Sequence, residues 1–131
     1  MKKILLSINP KFVKEIREGR KIYEYRKKLP KDTSVKSLLI YETVPTKKIV
    51  AECTIENYLR MYPEELWEKT SQNSGISKEF YDAYFKGKES AGAFKLKDIH
   101  FFDEPRDLKD YNVKKAPQSY QYIEITSCSG E

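Results

Sequence analysis

The chain has 131 residues and a net charge of +5, a length that accommodates one domain around a single buried core and leaves too little for two. Hydrophobic residues make up only 39%, but ten Tyr, six Phe and one Trp bring large buried area per residue, so a globular fold is within reach. Charge is uneven: residues 1–50 hold 14 Lys and Arg against 5 Asp and Glu, and the remainder holds 11 against 15. A concentrated positive field attracts polyanions, which makes nucleic acid the first partner to consider; solvated surface lysines are the bland alternative.

Cys53 and Cys128 are the only cysteines, one in an apolar run and one in a polar tail, and neither belongs to a C-x-x-C pair. The single His100 has no ligand-spaced companion, so no structural disulfide, bound metal or cofactor is expected. The apolar run Ile4 to Leu6 is too short for a secretory leader and no window approaches a membrane span, so a cytoplasmic protein is expected.

Taken in chain order, Ile4, Leu6 and Ile8 alternate as one apolar face of a first strand. Asn9 followed by Pro10 predicts a helix start, with a side chain that caps free N–H groups and a proline suited to the first helical position. Phe12, Val13 and Ile16 form its apolar stripe, and Gly19 closes it. A charged strand is predicted from Arg20 to Lys27. Glu24 and Arg26 share one of its faces with Ile22, while Tyr23 and Tyr25 take the other. Such a face is either an exposed edge or the polar lining of a pocket.

Leu29 to Ser34 reads as a turn, and Val35 to Thr43 as a strand whose continuous apolar centre points to burial on both faces. In the strand from Ile49 to Tyr58, the core face is assigned to Ile49, Ala51, Cys53 and Ile55. Pro63 with Glu64 and Glu65 starts a helix, in which Trp67 is taken as core. Ser77 caps a further helix whose Phe80, Tyr81, Tyr84 and Phe85 are read as a core stripe. Residues 89–102 form a long strand whose apolar phase slips, predicting a bulge near Lys97 and Asp98. Pro105 to Val113 reads as a polar excursion, Tyr120 to Ile125 as the last strand, and 127–131 as a disordered tail after a single domain spanning 1–126. These totals describe an α+β, mainly β chain with two or three short helices, and a small mixed β-barrel is the favoured architecture.

The run S-I-N-P-K-F-V-K-E-I-R-E-G-R-K-I-Y-E-Y-R-K resembles the opening of the ASCH domain family, where a strand and short helix lead to a G-x-K-x-x-E-x-R motif. Gly19, Lys21, Glu24 and Arg26 stand at its positions. Tyr41 to Pro45 (Y-E-T-V-P), Glu65 to Trp67 (E-L-W) and Pro117 to Tyr120 (P-Q-S-Y) extend the resemblance over nearly the whole chain. The family implies a barrel of the PUA-like type with a cleft beside the motif strand, and an RNA or nucleotide-like ligand. Some small members resemble amidohydrolases acting on modified cytidine, with a threonine nucleophile three residues after the motif lysine; here that residue is Glu24. Other members have been proposed as ribonucleases.

Chemistry assigns roles within that frame. Lys21 suits a phosphate contact or, if desolvated, a base. Glu24 can accept hydrogen bonds from a base edge, or with Lys21 activate a water, which makes the two the candidate catalytic pair. Arg26 suits a bidentate anion contact, or an ion pair with Glu24. The resemblance implies that Tyr41 and Thr43 face the cleft, with Gln118, Ser119 and Tyr120 as a second wall. The expected function is recognition of RNA or a modified nucleotide, with a regulatory role in transcription or translation as one use of it; the alternatives are a small hydrolase acting on RNA or a modified nucleoside, and a protein-interaction domain in which the motif only fastens the fold.

Overall fold

The structure, a computed structural model, describes residues 1–125; the tail expected at 127–131, with Cys128, lies outside them. In order come β1 (Lys2–Ile8), α1 (Pro10–Arg17), β2 (Tyr23–Arg26), β3 (Ser37–Glu42), β4 (Lys48–Met61), α2 (Pro63–Thr70), α3 (Lys78–Tyr84), β5 (Ala91–Arg106) and β6 (Tyr120–Glu124). Single 3₁₀ turns occupy Ser71–Asn73 and Leu108–Tyr111.

The strands form one six-stranded sheet in the order β2-β5-β4-β3-β1-β6. The β1–β3 pair is parallel, and β1–β6, β2–β5, β3–β4 and β4–β5 are antiparallel. The mainly β class expected from the sequence is present, but the sheet is not closed into a barrel. Among the described residues no ladder joins β2 to β6. The approach between the two ends is made by a side chain: Arg26 on β2 donates 2.7 Å to the Ser7 carbonyl on β1 and 3.1 Å to the Ser119 hydroxyl just before β6. With only four residues in β2, a guanidinium stands where a closing ladder would run.

Local chemistry accounts for the elements that frame the site. The Asn9 side chain accepts from the Lys11 N–H at 2.9 Å, Pro10 opens α1, and Val13 and Ile16 are its buried residues. Gly19 then takes a φ of +83°, a left-handed conformation that lets the chain leave the helix and turn back towards the sheet. The predicted charged strand is shorter than expected: Lys21 makes an isolated bridge to Ser74, and regular pairing begins at Tyr23.

Ile4, Leu6, Leu38 and Ile40 belong to the core over which α1 packs, while Leu5 and Leu39 join a second cluster with Val113 and Ile123. β1 was expected to bury one face. It buries two because the 107–116 segment folds over the Leu5 side, and each fully buried Leu or Ile contributes about 1.5–3 kcal/mol. A third cluster sets Tyr25, Leu66, Tyr81, Phe85 and Ala93 beneath α2 and α3, with Trp67 packed against it, its ring 4.7 Å from that of Tyr81.

The predicted bulge is present. Glu52 pairs with His100 and Thr54 with Lys97, so β5 carries one extra residue there, and Asp98 absorbs it at φ +50°. β5 continues past Pro105 to Arg106, which pairs with Ile49, so the excursion expected from Pro105 starts later. No helix among the described residues is long and apolar enough to cross a membrane.

Candidate functional site

Lys21 follows the helix stop and turns inward, leaving only 2% of its surface exposed. Its Nζ donates 2.7 Å to the Ser74 carbonyl and lies 4.9 Å from the Tyr25 ring centre and 5.5 Å from that of Phe12. Burial pushes the Lys21 amine below the usual lysine range; the Glu24 carboxylate opposes this and Arg26 adds to it.

Glu24, 5% exposed, sits on β2 opposite Phe94. One carboxylate oxygen, Oε2, accepts from Arg26 Nε at 3.2 Å and Nη2 at 2.8 Å. The other, Oε1, stands 3.7 Å from Lys21 Nζ, an ion-pair separation too long for a hydrogen bond, and it is buried with no hydrogen-bond donor. An unsatisfied buried acceptor costs about 1–3 kcal/mol. Arg26 donates four hydrogen bonds, two to Glu24 and one each to Ser7 and Ser119, so it fixes the carboxylate and joins β2 to the far strands at once.

Lys21, Glu24 and Arg26 line a cavity of about 210 Å³ together with Asn9, Phe12, Tyr25, Ile76, Phe80 and Tyr84. The Phe12 and Phe80 rings meet edge-on at 5.3 Å. Tyr25 donates or accepts at 2.6 Å with the Thr70 hydroxyl, and burial raises its phenol to about 12. Lys27, exposed at the end of the motif strand, lies over the Tyr84 ring at 4.8 Å. The cavity thus combines apolar ring faces with one free carboxylate oxygen and a buried amine.

The other expected site residues are distributed differently. Ser119 reaches the set through its bond to Arg26. Tyr41 is buried with Leu5, Leu39 and Ile49, Thr43 lies in the turn after β3 with its N–H on the Ile8 carbonyl, Gln118 is exposed, and Tyr120 packs against the core beside β1. None of these four lines the cavity. His100 is exposed on β5, its ring 5.7 Å from that of Phe102.

Reading the sequence missed Asn9, Phe12, Ile76, Phe80 and Tyr84 as lining residues. The stripe on α3 has two faces: Tyr81 and Phe85 enter the core as expected, while Phe80 and Tyr84, four apart, line the cavity, Tyr84 also packing against that core. The i, i+4 spacing of each pair carried that signal.

A mixed sheet carrying a buried lysine–glutamate–arginine set beside an aromatic cavity defines a small, mainly β domain. The chain belongs to the ASCH domain family, whose model matches residues 6–100. It is 31% identical over 126 residues to the ASCH domain-containing ribonuclease of Zymomonas mobilis, covering 93% of this chain and 84% of that protein. It is 41% identical over 86 residues to the large ribosomal subunit protein uL22 of Ureaplasma parvum, covering 66% of this chain and only 28% of that protein's length. The crystal structure of ASCH from Zymomonas mobilis superposes with a TM-score of 0.84 at 28% identity, covering 93% of this chain and 87% of the other.

Proposed function

We propose that this ASCH domain recognises RNA, holding one base or modified base in the cavity beside Lys21, Glu24 and Arg26. The observation that carries the reading is the Glu24 carboxylate, which lines a cavity with aromatic walls and whose buried Oε1 has no donor. A base edge brings an N–H to such an acceptor and a flat face to Phe12, Phe80 and Tyr84, which is how unstacked bases are held by proteins. Lys21 supplies an adjacent donor, and Arg26 positions the carboxylate. The relative named as a ribonuclease supports RNA as the ligand class. In this reading one domain spanning 1–126 carries the activity, in the cytoplasm, with any regulatory role following from the RNA bound.

The test is a titration of labelled single-stranded RNAs at low salt, against wild type and Glu24→Gln. Affinity that falls as salt rises, and about tenfold weaker binding by the variant, is the expected result; no affinity for any RNA overturns the proposal. A second reading, cleavage with Lys21 and Glu24 activating water, is favoured by the amine that burial pushes down beside a carboxylate. RNA degradation unchanged in Glu24→Gln rejects it.

A further inference from the structure

Beyond the cavity lies a second, larger depression of about 700 Å³. The two share three lining residues, Phe12, Ile76 and Phe80, so they are neighbours divided by a single apolar ridge. The ridge is not sealed: Phe80 is 43% exposed, an exposed ring at the rim of both depressions. The far side is polar, with Gln72, Asn73 and Ser77 from the segment leading into α3, Lys11 from α1, and the Glu15–Arg20 ion pair at the end of α1.

The cations around this region differ in how they are engaged. Arg20 is occupied by Glu15 at 2.8 Å and Glu18 at 2.6 Å. Lys11 has no acidic partner among the described residues and lines the second depression. Lys27 likewise has none, and is held over Tyr84, which lines the first. One free lysine therefore flanks each depression, with an exposed aromatic ring between them.

Resting on the reading of the cavity as a base site, we propose that its ligand is one residue of a continuous single strand, not a free nucleoside or nucleotide. The neighbouring nucleotide stacks on Phe80 and lies in the groove beyond it, and Lys11 and Lys27 contact the phosphates on either side. A free nucleoside uses only the first depression. A strand uses the ridge, the second depression and both lysines, and each of these has the chemistry a strand needs: a π-face for a base, amides and hydroxyls for a sugar edge, and ammonium groups without acidic partners among the described residues for phosphates.

The experiment compares a labelled heptanucleotide RNA of randomised sequence with the four nucleoside 5′-monophosphates, titrated into the full chain at two or more salt concentrations. The expected result is at least tenfold tighter binding of the heptanucleotide than of any monophosphate. Phe80→Ser weakens the heptanucleotide about tenfold, the size of one lost base stack, and Lys11→Gln lowers the ratio of heptanucleotide to monophosphate affinity and reduces the salt slope by about 0.7. Lys27→Gln checks the other flank, and melting curves confirm that the three variants are folded. Monophosphates binding as tightly as the heptanucleotide overturn the strand path and leave the base cavity standing. Binding by neither overturns both.

Discussion

At the scale of single residues, the electrostatics turn on Lys21. The folded protein gives up the Lys21 proton at lower pH than the unfolded chain does, because burial disfavours the ammonium. Between those two values the unfolded chain binds more protons, so stability rises with pH; below the folded value the burial penalty is present in full. The window closes at about pH 10, where tyrosines of the unfolded chain ionise while Tyr25 stays protonated to about 12, an effect of opposite sign. Denaturant unfolding of wild type and Lys21→Met from about pH 7 to 9.5 should show wild type gaining stability relative to the variant as pH rises. A constant difference would mean that Lys21 carries no depressed titration. The motif residues were legible in the sequence because Lys21, Glu24 and Arg26 lie within a few positions of each other, so local spacing reports their meeting. Asn9, Phe12, Ile76, Phe80 and Tyr84 come from separated segments, and only tertiary packing brings them to the same cavity.

At the scale of elements, the segment from Ser71 to Ser77 acts as the wall behind Lys21. Ser74 accepts its ammonium, and Gly75 packs so closely that an added Cβ would stand 2.5 Å from the Lys21 Cβ, at a φ of +69°. Gly19 also has a positive φ, +83°, but nothing lies within 4 Å of its Cβ position. Gly19→Ala should therefore lose about 1 kcal/mol, for backbone strain alone. Gly75→Ala adds a steric clash and should lose about 3 kcal/mol. Denaturation midpoints of the two variants measure the difference, and equal losses would show that the wall yields freely. The elements themselves were readable where capping, periodicity and phase are local: Asn9 before α1, Ser77 before α3, and the slip at Lys97 and Asp98. Barrel closure was not, because whether two end strands pair depends on the curl of the whole sheet. The core stripe assigned to α3 held for Tyr81, Phe85 and, in part, Tyr84 but not for Phe80, since periodicity shows that two faces exist but not what each one meets.

At the scale of the whole molecule, the basic first fifty residues are less basic than their count. Lys2 meets Asp32, Lys3 meets Glu52, and Lys48 meets Asp107, so acids partly neutralise this half. These exposed or partly exposed pairs contribute little to stability individually, but they decide which cations remain free for a polyanion. Topology has a further effect. β4 and β5 pair through the α2–α3 connection, whereas β1 must find β6, with Lys2 opposite Glu124, across most of the chain. Closing the larger loop is entropically dearer and should come later. Pulsed hydrogen exchange during refolding should protect the amides of β4 and β5 before those that β1 and β6 exchange with each other; the reverse order would contradict a topology-limited path.

The guanidinium bridge from Arg26 to Ser119 then acquires a meaning in time. Glu24 is held in place by a residue with one anchor on β1, at Ser7, and another, Ser119, just before the last strand. A nascent chain emerging from the ribosome has made Ser7, Lys21, Glu24 and Arg26 early, but the Ser119 anchor of the guanidinium is added only when the segment before β6 has been synthesised. The complete set of guanidinium bonds is thus withheld from incomplete chains, and the finished bridge reports that the sheet has been assembled to its final strand.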